Sequence, residues 1–143
     1  AESMQAANII GHGVLTAGKD INLSKSTALL GVDLATAADK VKVTIYKDGK
    51  EVHSIDLGAQ PAGTLPLGWN GATADLDKDG KNIVLADGAY TFAVEATRGG
   101  TKLTDATALM FGSVASVSTG ANGVKLNVPG VGSITMADVK QIL

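Results

Sequence analysis

The hydrophobic residues of this chain recur mostly at every second position, the spacing of a β-strand with one buried face. In the clearest run, the apolar face carries Tyr90, Phe92, Val94 and Ala96. A second run places Val41, Val43 and Ile45 between Lys40, Lys42 and Thr44. Short apolar segments separated by glycine-containing turns fill most of the remaining chain. The pattern predicts an all-β protein.

Turn and cap residues predict how the strands are joined and how the chain ends. Asp-Gly in 47–50 and Gly-Gly in 98–101 supply the positive φ of tight hairpin turns. Short helices are predicted at both ends. One runs from Met4 to Ile10, and the other follows the cap residue Thr135 and carries Val139, Ile142 and Leu143.

The stretch from Trp69 to Ala96 contains the only tryptophan and a tyrosine placed just after an Asp-Gly turn. A tyrosine in that position is typical of the tyrosine corner of immunoglobulin-like sandwiches, where the ring packs inside and the hydroxyl holds the corner. We therefore predict that Trp69 and Tyr90 are core residues of a sandwich.

Segment sizes predict how the domains are organised. Chain segments below about 40 residues rarely fold without disulfides, metals or oligomerisation, and the two ends of the chain are each shorter than that. The last third also has short strands rich in glycine, which favours a small bent barrel. We predict a discontinuous barrel from residues 1–30 and 110–143, with a sandwich of residues 31–109 inserted into it.

Six motifs, in this order along the whole chain, resemble the flagellar hook-capping family, also called basal-body rod modification proteins. They are Ala7-Asn8-Ile9-Ile10-Gly11, Gly31-Val32-Asp33-Leu34, Trp69-Asn70-Gly71, Asp87-Gly88-Ala89-Tyr90-Thr91-Phe92, Gly112-Ser113-Val114-Ala115-Ser116-Val117 and Ala137-Asp138-Val139-Lys140-Gln141-Ile142. The resemblance implies a fibronectin type III-like or immunoglobulin-like sandwich inserted into a discontinuous Tudor-like or SH3-like small barrel. Two features depart from the family: Asn70 stands where Asp is usual, and the loop 71–86 is longer than is typical.

The same resemblance implies a non-enzymatic scaffold. Such a protein is exported to the distal tip of the bacterial flagellar hook, caps the growing hook and promotes the polymerisation of hook subunits. Its partners would be the flagellar hook protein and further copies of itself in a cap oligomer. Residues 1–7 lack the basic and long apolar segments of a secretory signal, which indicates a chain cut from a longer protein.

Composition narrows the classes of partner. A formal charge of -2, a pI near 5.6 and the lack of a Lys/Arg cluster argue against nucleic acid. The chain has no cysteine, so it offers neither disulfides nor thiolate ligands. No run reaches the roughly 18 apolar residues of a membrane span, and we expect no membrane insertion.

Candidate chemistry is sparse. The run Asp75–Gly80 opens like a calcium loop, but the twelfth position is Ala86 instead of a bidentate Glu, which favours a solvated hairpin tip. His12 and His53 have no partner at metal-ligand spacing. No serine lies in a Gly-x-Ser-x-Gly elbow. We expect no catalytic residue, no metal and no cofactor.

The loop 71–86 is long for a sandwich, and its apolar residues are Leu76, Ile83, Val84 and Leu85. They either pack back as an extra hairpin on their own sheet or contact a neighbouring cap subunit or the hook protein. An alternative function is an accessory binding module of an extracellular enzyme or adhesin. Sugar binding needs exposed aromatic platforms, and the aromatic residues are mostly assigned to cores, so the scaffold is favoured.

Overall fold

The structure, a computed structural model, describes residues 8–143. The strands are, in chain order, β1 (Gly13–Ala17), β2 (Asp20–Leu23), β3 (Ala28–Leu34), β4 (Ala38–Lys47), β5 (Lys50–Gln60), β6 (Gly63–Trp69), β7 (Ala72–Leu76), β8 (Asn82–Val84), β9 (Gly88–Arg98), β10 (Thr101–Lys102), β11 (Ala106–Ser113), β12 (Ser116–Gly120), β13 (Gly123–Val128), β14 (Gly132–Ile134) and β15 (Val139–Ile142). A turn of 3-10 helix, Met136–Asp138, precedes β15. The prediction of an all-β fold is confirmed.

The chain folds as two compact units. The smaller combines the described residues up to Ala17 with Phe111–Leu143, and the larger, inserted unit is Gly18–Met110. The first boundary therefore lies at Ala17 instead of residue 30, because β2 pairs with β9 and β3 pairs with β6 within the inserted unit. The Tudor-like or SH3-like class of the smaller unit stays a prediction.

The inserted unit contains two sheets around one core. In the first sheet the strand order is β10, β9, β4 and β5, and β2 pairs with β9; in the second, β3 lies between β11 and β6. The predicted alternation is confirmed in β4 and β9, whose inward residues are buried except for the half-buried Val94. The core includes Ile21, Leu23, Leu30, Val32, Val43, Ile45, Trp69, Tyr90 and Phe92.

The turn between β4 and β5 forms as its sequence predicts. Asp48 and Gly49 have φ values of 50° and 80°, so both central residues are in the left-handed region that a two-residue hairpin turn requires. This turn sets the pairing of β4 with β5.

The smaller unit buries Ile9, Val14, Val114, Leu126 and Val128. In this unit β1 lies between β15 and β11, while β13 lies between β12 and β14. Gly112 has a packing role in this unit, since a side chain there would run into Val128 and Val131.

Of the two helices predicted at the chain ends, the structure contradicts one and describes little of the other. The C-terminal one is wrong: after the 3-10 turn, Val139–Ile142 is the strand β15, with Val14 opposite Ile142. Pairing with β1 satisfies the backbone of this β-branched segment, which is too short for a stable helix. The predicted helix from Met4 to Ile10 lies mainly outside the described residues.

Candidate functional site

The segment that follows Trp69 starts from the core of the inserted unit. Trp69 is 5% exposed, and its Nε1 donates a hydrogen bond to the Ala72 carbonyl oxygen at 3.0 Å. Asn70 Oδ1 accepts a hydrogen bond from the Ala72 N–H at 2.9 Å. Gly71 has a φ of 86°, and a side chain there would meet Leu23. Only glycine can combine this φ value with such close packing against Leu23, so Gly71 fixes the direction in which the chain turns away from the core.

The far end of the same segment is held by Tyr90. Its hydroxyl donates to the Ala86 carbonyl oxygen at 2.5 Å, which confirms the tyrosine corner that the sequence predicts. The rings of Tyr90 and Trp69 meet edge to face at 5.2 Å. Leu85 packs against the core, and its N–H donates to the Gly71 carbonyl oxygen at 2.8 Å. Both ends of the segment are thus fixed to the core.

Between these ends the chain forms a hairpin of β7 and β8. The strands pair irregularly, with a bulge between Ala72 and Leu76. Thr73 fills the bulge: it is buried, its Oγ1 donates to the Ile83 carbonyl oxygen at 2.9 Å, and its own carbonyl oxygen accepts from Asn82 Nδ2 at 2.9 Å. Sequence reasoning missed Thr73, because a threonine in a polar loop carries no sign of which carbonyl it will reach.

The tip of the hairpin is held by one carboxylate. Asp77 Oδ1 accepts hydrogen bonds from the N–H groups of Asp79 and Lys81 at 2.8 and 3.0 Å. Gly80 has a φ of 76° and donates its N–H to the Asp77 carbonyl oxygen. Among residues 8–143, no group of three His, Cys, Asp or Glu residues is placed to hold a metal ion. Asp77 therefore acts as a turn acceptor.

The hairpin exposes large apolar side chains. Leu76 is 61% exposed, Val84 55% and Ile83 41%. Since Leu76 lies opposite Asn82, it shares a face of the hairpin with Val84, while Ile83 points to the other face. Leu85, the fourth predicted residue, packs against the core instead. We call Leu76, Ile83 and Val84 the apolar tip, and it is the candidate site for contact with another protein.

The other residues considered from the sequence lie in separate surroundings. His12, in the smaller unit, is exposed and places Nδ1 3.2 Å from the Leu143 carbonyl oxygen. His53, in the inserted unit, stacks on Trp69 with ring centroids 6.4 Å apart. Neither arrangement brings a histidine to a nucleophile or to a set of metal ligands.

A cavity of about 80 Å³ lies at one end of the inserted unit. Its lining residues are Val32, Leu34, Val41, Gln60, Pro61, Ala62, Gly63, Thr64 and Leu65. None of these side chains ionises, so this lining supplies no acid, base or charged ligand. In the described part of the chain, no helix has the length and hydropathy to cross a membrane.

Comparison with known proteins gives a consistent family match. The model of the FlgD immunoglobulin-like domain matches residues 18–100. The basal-body rod modification protein FlgD of Salmonella typhimurium is 36% identical over 152 aligned positions, which cover all of this chain. The chain spans 62% of the length of that relative.

Two solved structures have the same fold over nearly the whole chain. FlgD from Xanthomonas campestris is 26% identical, with a TM-score of 0.71 and full coverage of both chains. Its structure has been used to explain the hook capping that is essential for flagellar assembly. FlgD from P. aeruginosa is 26% identical with a TM-score of 0.68, covering 94% of this chain and 98% of the other. These matches confirm the predicted immunoglobulin-like sandwich.

Proposed function

Because this chain belongs to the FlgD family, we propose that it is a non-enzymatic scaffold that caps the growing bacterial flagellar hook and promotes the polymerisation of hook subunits. The observation that carries the proposal is the whole-chain match to X. campestris FlgD, a hook-capping protein. The proposed place of action is the distal tip of the hook, outside the cell. The proposed partners are the flagellar hook protein and further copies of the scaffold.

We assign the apolar tip to the contact with the hook protein. The hairpin that carries it is anchored at both ends by Trp69 and Tyr90, so the exposed side chains are presented in a defined position. Presenting a contact surface in its bound arrangement lowers the entropy cost of association. Exposed apolar side chains clustered on one element are also the usual signature of a protein contact.

The alternative function, an accessory binding module of an extracellular enzyme or adhesin, has less support. Of the five aromatic residues, Trp69, Tyr90 and Phe92 are at most 5% exposed, and Tyr46 and Phe111 are half-buried, so none offers a fully exposed ring to a sugar. The curated and structural relatives reported above are FlgD proteins instead of enzymes or adhesins.

Complementation tests the proposed contact. In a strain that lacks its own hook cap, the full-length gene carrying Leu76→Ser and Val84→Thr should restore fewer hooks than the wild type and release more unpolymerised hook protein. The reason is that both substitutions remove apolar contact area without touching the core. The readouts are hook counts by electron microscopy and hook protein in the culture medium.

Leu29→Ser is the matched control, because Leu29 is an exposed apolar residue of the same unit, 38% exposed, on β3. It should complement fully, and all variants should melt within a few degrees of the wild type. Full complementation by the double variant would remove the apolar tip from the contact. A wild-type gene that fails to restore hooks would instead contradict the capping function itself.

A further inference from the structure

The outer face of the sheet formed by β10, β9, β4 and β5, with β2 beside β9, carries its charges in rows. Cross-strand register places Lys40 and Lys102 on either side of Thr97 at one end of this face. At the other end, the register places Glu51 on β5 and Asp20 on β2 in one row, with Tyr46 and Thr91 between them. All four charged side chains are exposed. We call these the basic row and the acidic row.

Two further rows lie between them and differ in side-chain length. The long row, next to the basic row, consists of Asp56, Lys42 and Glu95. The short row, next to the acidic row, consists of the exposed residues Ser54 and Ala93 and, between them, Thr44, which its neighbours leave only 7% exposed. Since alternate residues of a strand are about 6.7 Å apart, the four rows cover about 20 Å.

The four rows of one copy are complementary to the four rows of a second copy that is related to it by a two-fold rotation. The axis lies in the plane of the face and runs across the strands, so that each strand meets its own counterpart in the antiparallel direction. The basic row of one copy then lies opposite the acidic row of the other, and the long row lies opposite the short row. Lys102 meets Asp20 of the second copy, because β10 and β2 pair with the same edge of β9.

We propose that this face binds a second copy of the chain in a symmetric, face-to-face dimer. Lys102 of each copy meets Asp20 of the other, one such pair at each end, and Lys42 and Glu95 extend over Thr44 and Ala93 in the middle. Charge and shape therefore both select this partner. The argument uses neither the apolar tip nor the hook-capping assignment, and the two proposals can fail separately.

The size of the face predicts a weak dimer. Strands lie about 4.8 Å apart, so four strands and four rows cover roughly 400 Å² per copy. The total, about 800 Å², is below the 1,200–2,000 Å² of stable complexes. We therefore expect a dimer that forms at high protein concentration and weakens with salt, because the Debye length falls from about 10 Å at 0.1 M to about 3 Å at 1 M.

Sedimentation velocity of the 143-residue chain up to about 1 mM tests the dimer. Lys102→Glu and Asp20→Lys should each raise the dissociation constant at least about tenfold, since each places like charges at both ends of the interface. Mixing the two single variants should restore association, because the mixed pair has opposite charges at both contacts. The double variant should also dimerise.

Lys140→Glu is the control for net charge: Lys140 is exposed and lies in the smaller unit. It should dimerise like the wild type. Should one substitution unfold the chain, the milder Lys102→Gln and Asp20→Asn test the same contact, and each should weaken the dimer by less than the charge reversals do. A wild type that stays monomeric up to 1 mM, single variants that dimerise normally, or folded variants whose mixture stays monomeric would each overturn the proposal.

Discussion

At the scale of single residues, Trp69 and Tyr90 show what a sequence pattern conveys and what it leaves out. Their burial follows from the period-two pattern and from the Asp-Gly turn before Tyr90, because both signals are local. The partners of their polar atoms are the carbonyl oxygens of Ala72 and Ala86. The tyrosine corner predicts that the Tyr90 hydroxyl holds the backbone, whereas no sequence signal shows which carbonyl oxygen the Trp69 Nε1 group will reach.

Asp87 shows the same limit over a longer separation. The sequence predicts a turn at Asp87 and Gly88, but the Asp87 carboxylate also accepts hydrogen bonds from the N–H groups of Lys25 and Ser26 at 2.7 and 3.0 Å. Lys25 and Ser26 have φ values of 53° and 55°, which non-glycine residues rarely adopt. A carboxylate from another part of the chain thus holds a strained turn, and local propensity contains no sign of it.

Two substitutions of Trp69 separate the contribution of its buried ring from that of its Nε1 hydrogen bond. Trp69→Ala should lower the free energy of unfolding of the inserted unit by about 3 to 5 kcal/mol, because it removes a large buried ring. Trp69→Phe should lower it less and should speed amide hydrogen exchange at Ala72 and Thr73, since it keeps an aromatic ring but removes the Nε1 donor. Urea denaturation and hydrogen exchange by NMR measure the two effects. An unchanged unfolding midpoint in Trp69→Ala would contradict the core role.

At the scale of elements, the loop 71–86 is a hairpin of two strands. The interpretation that it packs back onto its own sheet holds for one of its four large apolar residues, and contact with another protein stays a proposal. Leu85 packs back onto the core, while Leu76, Ile83 and Val84 stay exposed. The C-terminal segment is the element that sequence reasoning got wrong. Cap residues at Thr135 and Asp138 are local signals, whereas the pairing of β15 with β1 depends on a strand more than a hundred residues away.

The turn before β15 predicts a specific pH dependence. Hydrogen bonds from the Thr135 N–H and hydroxyl, at 2.9 and 3.0 Å, lower the pKa of Asp138 below 3.8. Because the pKa is lower in the folded chain than in the unfolded one, the stabilisation is complete above the unfolded pKa. It is lost as the pH falls through the folded pKa.

The comparison of wild type with Asp138→Asn by urea denaturation at several pH values isolates this contribution. The wild type should be the more stable at neutral pH, and the difference should shrink as the pH falls below about 4. Subtracting the two profiles removes the effect of the other carboxyl groups, which both proteins share. A difference that stays constant down to pH 2 would show that the charge of Asp138 has no part in holding the turn.

At the scale of the complete chain, segment size and the glycine-rich last third predict that the chain ends combine around an insertion. The boundary near residue 110 follows from the change to short, glycine-rich segments. The boundary near residue 30 was misplaced, because β2 is a short strand whose pairing with β9 is not apparent from its own four residues. Strand pairing, instead of composition, decides where that unit begins.

We expect each unit to fold without the other. Residues 18–110 alone should unfold cooperatively and give dispersed amide resonances, since this unit has its own two-sheet core. Residues 1–17 joined to 111–143 by a Gly/Ser linker should also fold, whereas residues 111–143 alone should not, because Val14 belongs to the same core. Circular dichroism and NMR spectra distinguish these cases. A dispersed spectrum from residues 111–143 alone would contradict the need for the N-terminal strand.

The two anchors of the β7–β8 hairpin also have an evolutionary consequence. Trp69 and Tyr90 hold it from outside, by hydrogen bonds to backbone carbonyl groups that any residue provides. The sequence between Gly71 and Leu85 is therefore free to change in length and composition while the sandwich is retained. Different lineages can acquire different recognition surfaces at this position, and a protein engineer can graft a foreign peptide there by keeping Trp69, Gly71, Leu85 and Tyr90.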